Sequence, residues 1–265
     1  MKIGIVGCGG RMGKMLVNAV LDTKGCTLAG DTGRSGGDAV GRDIGDLVGR
    51  GALNVLVESD PRKLFEVADA VIDFTSPAAT VQHAAFAAET GTVLIVGTTG
   101  LSKDDEAALR AAADRVPVVY APNYSVGVNL LMGLTERAAA ILAEDYDIEI
   151  VEMHHRHKVD APSGTALGLG RAAAAGRQVV LDSVWCKARD GHPGARPKGE
   201  IGFATLRGGD VVGDHTVYFL GQGERIEVTH RAHSRETFAH GAMRAALWMK
   251  GQKGGKLLTM SDMLA

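Results

Sequence analysis

Between Glu152 and Ala166 the chain reads E-M-H-H-R-H-K-V-D-A-P-S-G-T-A, which places three histidines, an arginine, a lysine and two acids in one short stretch. A packed core excludes charged groups unless they are paired, so ionisable side chains this dense point to a site facing a polar ligand. On a strand, His154 and His155 point to opposite faces, so one can donate a proton while the other contacts substrate. Lys158 would be a positive charge beside an anionic substrate, which would itself keep the amine protonated and able to act as an acid. Ser163, Gly164 and Thr165 follow Pro162 and precede a helical run, so their N–H groups and hydroxyls can hold a carboxylate at a helix N-terminus. Together these features describe acid catalysis on a small acidic molecule. The bland alternative is a solvated polar loop. A metal site built from Glu152, His154, His155, His157 and Asp160 is the rival reading, but the run lacks H-E-x-x-H spacing and the cysteines lie elsewhere. No metal is expected, and there is neither a G-x-S-x-G elbow nor an activated-cysteine context for nucleophilic catalysis.

At the other end of the chain, K-I-G-I-V reads as a short buried strand followed by Gly7, Gly9, Gly10 and Gly13 and then by Met12, Met15, Leu16, Ala19 and Val20 on one helix face. Strand, glycine turn and helix N-terminus put backbone N–H groups and a positive dipole end where a pyrophosphate can sit. The spacing departs from G-x-G-x-x-G, with Met12 at the place of the third glycine and Gly13 one residue later. At the end of the second strand the run Gly30-Asp31-Thr32-Gly33-Arg34 offers two opposed signals. Arg34, with Arg11 as a second candidate, suits the 2′-phosphate of NADPH, whereas Asp31 would favour the ribose of NADH.

The elements that must position these residues follow from the hydrophobic pattern. Short strands are expected at 27–29, 55–57, 70–74, 93–96 and 118–120, with helices at 77–90 and at 102–115, the latter opened by Ser102 as N-cap. This rhythm implies a parallel sheet with helices on both faces, with ligands at the carboxyl ends of the strands. D-F-T-S-P (Asp73 to Pro77), G-T-T-G (Gly97 to Gly100) and A-P-N-Y (Ala121 to Tyr124) lie at such ends. After Tyr124 a long helix is expected over 125–144, then a strand over 148–153. Stretches 202–206, 215–220 and 225–230 read as antiparallel strands, giving an α+β half, and 237–250 reads as a helix that can return to the first domain. The glycine-rich stretch 30–51 is long for a loop and is a candidate mobile segment beside the cofactor.

Composition limits the partners. The 265 residues are 45% hydrophobic with a formal net charge of −2 and a pI near 6.5, so nothing favours nucleic acid or an acidic membrane as a partner. Three cysteines without framework spacing, no secretory leader, and apolar runs short of the ~20 residues of a membrane span lead us to expect a soluble cytoplasmic protein.

With the glycine turn, G-T-T-G, A-P-N-Y-S-V-G-V-N and H-H-R-H-K-V-D-A-P-S-G-T-A in one order, the chain resembles the dihydrodipicolinate reductase family nearly end to end. I-G-F-A-T-L-R-G-G-D-V-V-G-D-H-T and S-R-E-T-F-A-H-G-A also look like it, and only the glycine turn is generic. The resemblance implies hydride transfer from NADPH or NADH to the cyclic condensation product of pyruvate and aspartate semialdehyde, in diaminopimelate and lysine biosynthesis. It implies that His154 is the proton donor or acceptor, that Lys158 donates a proton, that His155 binds substrate and that Gly164 and Thr165 hold a substrate carboxylate. It places Gly7, Cys8, Gly9, Gly10, Arg11 and Met12 on the pyrophosphate. Gly97, Thr98 and Thr99 come near the nicotinamide, with Ala121, Pro122, Asn123 and Tyr124 alongside, and Arg34 is matched to the phosphate-side arginine. The family often has an acid just before that arginine, where Gly33 stands here, which implies weaker reliance on NADH.

The implied fold is α/β: a Rossmann-type nucleotide domain with a mostly parallel sheet, over 1–125 and 235–265. It encloses an α+β domain, 126–234, for substrate binding and assembly of a homotetramer. With the two half-sites on separate domains, closure over the ligands is expected. Two other readings exist: another two-domain NAD(P)-dependent dehydrogenase, against which the H-H-x-x-K loop argues, and a non-catalytic NAD(P)-sensing regulator, which would leave the basic loop without a role.

Overall fold

Runs such as A-V-I-D and V-L-I-V are apolar without alternation, as required of short strands buried on both faces of a parallel sheet. A computed structural model describes residues 1–265, and its elements bear this out. The first are β1 (Lys2–Val6), α1 (Arg11–Asp22), β2 (Thr27–Thr32), α2 (Ile44–Leu47), α3 (Pro61–Val67), β3 (Ala70–Asp73), α4 (Pro77–Thr90), β4 (Val93–Val96), α5 (Lys103–Ala113) and β5 (Val118–Tyr120). There follow α6 (Val126–Leu142), β6 (Asp147–His154), α7 (Gly164–Gly176), α8 (Leu181–Val184), β7 (Trp185–Cys186), β8 (Ile201–Arg207), β9 (Gly213–Leu220) and β10 (Arg225–Ala232). The chain ends with α9 (Glu236–Met249), β11 (Leu257–Leu258) and α10 (Met260–Leu264). Residues 1–125 with 235–265 form one unit, and 126–234 form another.

The first unit is a parallel six-stranded sheet in the order β11-β5-β4-β3-β1-β2. Ile3, Ile5, Val71, Ile72, Leu94, Ile95, Val118 and Val119 are fully buried within it. Helices α1 and α9 pack on one another, as do α4 and α5. The expected cap of α5 is present as a capping box: Ser102 accepts from the Asp105 amide while the Asp105 side chain accepts from Ser102. The expected strand at 55–57 does not form. Two isolated bridges stand in its place, an antiparallel one from Asp43 to Leu56 and a parallel one from Thr32 to Glu58, the latter beyond β2 where a further strand of a longer doubly wound sheet would lie. The stretch 30–51 is not one loop, since β2 runs to Thr32 and α2 sits within it, capped by Asp43.

The second unit is a five-stranded mixed sheet in the order β10-β9-β6-β8-β7, with α6 and α7 packed together. Strand β6 is central because its alternating residues Ile148, Ile150, Glu152 and His154 all turn inward. The expectation of three antiparallel strands holds for β9 and β10 but not for β8, which lies parallel to β6 and is separated from β9 by it. The physical reason is the connection from β8 to β9: it crosses the end of β6, where the Gly208 amide donates to His154 O and the His155 amide to Val211 O. The core holds Ile148, Ile150, Leu169, Ala173, Phe203, Val217 and Phe219. By length and mean hydropathy alone, 1.3, residues Val126–Asp145 could cross a membrane. Here that helix lays Leu131 and Ala139 into the core of the second unit.

Candidate active site

The register of the first sheet aligns Val6 with Asp73, Asp73 with Val96 and Val96 with Tyr120, so the four loops that follow these residues open on one edge. Three hollows share residues along that edge. One of about 360 Å³ is lined by Arg11, Met12, Phe74, Thr75, Gly97, Thr98, Thr99, Pro122, Asn123, Tyr124, Arg235 and Phe238. Phe74 and Thr75 also line a second, of about 720 Å³, with Gly7, Gly10, Arg34 and His83. Gly7, Gly10 and Arg34 recur in the third, beside Gly9, Lys14, Asp38 and Arg42.

The trough fits a dinucleotide. Gly7 has φ +81°, the left-handed region, and the turn closes with the Gly7 and Cys8 amides donating to Thr32 O. Helix α1 begins with no side-chain cap, leaving its first N–H groups for an anion. Gly13 is the close-packing glycine despite its displaced spacing: a Cβ there would lie 2.3 Å from Gly7 O and 2.6 Å from Cys8 Cα. A side chain at Gly97 would meet the Phe74 ring at 2.2 Å, so that ring closes over the G-T-T-G turn, with Tyr124 tilted against it at 5.5 Å.

Beneath these loops lies a buried polar cluster. Asp73, with no exposure, accepts from the Thr75 amide and hydroxyl at 2.9 and 2.6 Å and pairs with His83 Nδ1 at 2.8 Å. Burial pushes its carboxyl up, but the hydrogen bond and charge of His83 and the hydroxyls around it outweigh that and hold it below the usual carboxylate range. The Thr98 hydroxyl joins this cluster through the Thr75 amide at 3.1 Å and Thr80 at 2.8 Å. Thr98 is thus fixed from below by the D-F-T-S-P turn that the sequence marked, together with Thr80 and His83, which it did not.

Two residues expected on the cofactor do not line the trough. Ala121 is buried and its amide donates to Val96 O, so it positions Pro122, Asn123 and Tyr124. The Cys8 thiol is turned inward beside Asp31, and burial followed by that carboxylate raises its pKa. Conversely, Lys14 and Arg42 were missed. They are exposed around the same hollow as Arg34, giving three cations against the single acid Asp38. Lys14 was findable, since it follows Gly13 in the first turns of α1.

Asp31 is not a ribose ligand. It is 1% exposed, with its carboxylate turned inward against Cys8. Pairing of β1 with β2 slips by one residue at Ala29, which defeats simple alternation along β2. Burial raises the Asp31 pKa from 3.8 to about 7. Because the folded protein holds this proton to higher pH than the unfolded chain, its neutral form supports the fold fully below pH 3.8, and that support drains away as pH rises towards about 7. Urea unfolding of Asp31→Asn should therefore lose this slope. Relative to wild type the variant should gain about 4 kcal/mol between pH 4 and pH 8, and parallel stability curves for the two proteins would contradict the assignment.

In the second unit, Glu152 and His154 fall on the inward face of β6. Glu152 is 1% exposed and accepts from His154 Nδ1 at 2.6 Å, the Ser163 amide at 3.0 Å and both terminal nitrogens of Arg207 at 2.7 and 2.8 Å. Burial alone would raise its pKa, but the hydrogen bonds from His154 and Arg207 prevail and hold it at about 2. Ser163 caps α7 by accepting from the Ala166 amide at 3.1 Å, which puts Gly164 and Thr165 at the first positions of that helix, as the sequence implied for an anion cradle. His215, also unforeseen, lies edge-on to His154 at 5.1 Å with its Nε2 3.1 Å from Ser163 Oγ. Burial, then the His154 charge, lowers its pKa to about 3, so it stays neutral.

Lys158 Nζ donates to Asp160 at 2.8 Å, and the Lys158 amide to His155 O. The strand ends at His154, so His155 opens the loop, half-buried, with its ring 6.2 Å from that of His157. No three His, Cys, Asp or Glu side chains converge as metal ligands.

Comparison with known proteins gives one consistent result. Residues 1–124 match the family model described as dihydrodipicolinate reductase, N-terminus, and residues 127–264 the one described as dihydrodipicolinate reductase, C-terminus. The 4-hydroxy-tetrahydrodipicolinate reductases of Magnetococcus marinus and Methylocella silvestris are each 52% identical across 100% of this chain, covering 98% and 97% of their own lengths. Among solved structures, a dipicolinate-bound dihydrodipicolinate reductase from Paenisporosarcina sp. TG-14 superposes with a TM-score of 0.77 at 24% identity, covering 98% of this chain and 97% of that one. An amine dehydrogenase from Mycobacterium smegmatis shares the fold at a TM-score of 0.62 and 15% identity, over 98% and 95% of the two chains. On matches that span both halves, the chain belongs to the dihydrodipicolinate reductase family.

Proposed function

We propose that this protein is a 4-hydroxy-tetrahydrodipicolinate reductase of diaminopimelate and lysine biosynthesis. It converts its substrate, NAD(P)H and a proton to tetrahydrodipicolinate, NAD(P)⁺ and water. The observation that carries the reading is the joining of a carboxylate-held histidine, His154, to the helix N-terminus at Gly164 and Thr165 through Glu152 and Ser163. An acid and an anion cradle on one rigid frame suit a dicarboxylate that must be protonated as it is reduced.

When bound, the cofactor supplies the hydride. Residues 1–125 with 235–265 are the dinucleotide domain: Gly7, Gly9, Gly10 and the start of α1 take the pyrophosphate, and Gly97, Thr98, Thr99, Pro122 and Asn123 border the nicotinamide end. Residues 126–234 bind substrate. Lys158 neutralises its charge, His155 contacts it, Gly164 and Thr165 receive a carboxylate, and His154 or Lys158 delivers the proton to the end of the conjugated system remote from the hydride. The domain also forms the contacts of a homotetramer. Val151, Met153, Leu206 and Tyr218 lie on the face of its sheet opposite the core, and Leu206 is 46% exposed. A monomer in sedimentation would contradict that assembly. The enzyme works in the cytoplasm, in keeping with three free cysteines.

With Asp31 turned inward and Gly33 before Arg34, the adenosine end is built for a phosphate. The specificity constant for NADPH should exceed that for NADH by roughly tenfold or more, the worth of a charge-assisted hydrogen bond. Arg34→Ala should remove most of that margin while leaving NADH turnover nearly unchanged. Steady-state rates with the two cofactors test both points, and equal constants in wild type would count against the phosphate site.

A further inference from the structure

We propose that Glu152 is the positioning residue of this reaction: it fixes the ring of His154 so that Nδ1 carries its proton inward and Nε2 is the atom presented to substrate. The inference rests on the reductase reading above and adds to it which atom acts and what aims it. An ionised carboxylate only accepts, so the 2.6 Å contact assigns the donor to His154 Nδ1.

Beside the other nitrogen the neighbouring strand carries no side chain. Gly213, the first residue of β9, has an ordinary strand conformation, yet a Cβ there would stand 2.9 Å from His154 Nε2 and 3.3 Å from its Cδ2. Because Glu152 holds the far side of the ring, the imidazole has nowhere to retreat. The same carboxylate receives the Ser163 amide, so the acid and the helix that carries Gly164 and Thr165 share one anchor. The charged and titratable groups facing His154 are Glu152 on its own strand, Arg207 on β8 and neutral His215 on β9, with Lys158 in the adjoining loop within electrostatic reach of His215.

Glu152→Gln is a severe test, because both carboxylate oxygens accept from donors and an amide N–H2 placed at either position would face one. We expect kcat to fall about 10²-fold, the usual cost of misplacing a reacting group by about 1 Å, with KM within about twofold. Loss of the carboxylate also disfavours the imidazolium, so the alkaline limb of the kcat profile should move to lower pH. Glu152→Asp, which keeps the charge, should restore the position of that limb. Gly213→Ala, which keeps Glu152, should lower kcat by covering Nε2. A folded Glu152→Gln protein, judged by unchanged NADPH binding, that retained wild-type kcat and pH profile would overturn the proposal.

A readout independent of turnover is long-range ¹H–¹⁵N spectroscopy of histidine in wild type. Neutral His154 should be the Nδ1–H tautomer, and an Nε2–H tautomer would overturn the proposal even if Glu152→Gln failed to fold. Were wild type inactive on the condensation product while His154 showed the Nδ1–H form, the reductase reading would fail and the aim of His154 would stand.

Discussion

Replacing His154 by alanine is expected to lower kcat by roughly 10²–10⁴-fold, the range over which a positioned general acid acts. NADPH affinity should stay within about twofold, since the groups assigned to the dinucleotide lie in the other unit. The variant should fold, because the Glu152 carboxylate keeps the Ser163 amide and both Arg207 nitrogens as partners and is not left as a buried unpaired charge. Lys158→Ala should also lose most activity. The double variant should fall far short of the product of the two losses, because residues acting on one proton transfer are not additive. Steady-state kinetics with a fluorescence titration of NADPH checks all three points, and a His154→Ala enzyme within threefold of wild type would remove His154 from the chemistry.

The second large effect concerns Gly13. An alanine methyl there would stand 2.3 Å from Gly7 O, 2.6 Å from Cys8 Cα and 2.9 Å from Cys8 C, all backbone atoms that no rotamer change can clear. Helix α1 must then move off the glycine turn. Overpacking of this kind costs about 1–3 kcal/mol or more, and displacing the helix N-terminus from the pyrophosphate should weaken NADPH binding about 10²-fold, by the same sensitivity to small misplacements. Gly251→Ala, where an added Cβ meets nothing within 4 Å, serves as the control and should be near neutral in both assays. A Gly13→Ala protein with the wild-type urea midpoint and NADPH affinity would show that the turn does not need this close approach.

What the sequence made legible follows from physics acting over short distances. Helix α4 begins at Pro77 and ends at Thr90 as expected, because Pro suits the first helical position and Gly91, at φ +80°, closes the helix. The loop ends D-F-T-S-P, G-T-T-G and A-P-N-Y were legible as strand termini, since fully buried strands are runs that polar residues and glycine end. The direction of β8 was not legible. A short strand bounded by glycines carries no mark of which neighbour it pairs with, and the long-range ladder to β6 decides it. Asp31 was misplaced for a related reason, because the slip in pairing at Ala29 is set by β1 and not by the residues of β2.

In the candidate site, the sequence named the residues with visible chemistry but not the groups that hold them. His154, Lys158, Gly164 and Thr165 stand in one short stretch of sequence, from the end of β6 to the start of α7. Arg207 stands 55 residues from Glu152 and His215 stands 52 from Ser163, and their role exists only once β6, β8 and β9 are paired. Glu152 was partly legible, because period-two alternation from Ile148 already puts it on the face of His154. Its burial as an ion could not be foreseen without Arg207.

The reductase assignment is tested most directly by mixing purified protein and NADPH with the freshly formed condensation product of pyruvate and aspartate semialdehyde and following NADPH absorbance while tetrahydrodipicolinate is identified by mass. Rapid oxidation is expected, one NADPH for each product molecule formed. A folded protein that binds NADPH but leaves it unoxidised in the presence of that substrate would not be this reductase.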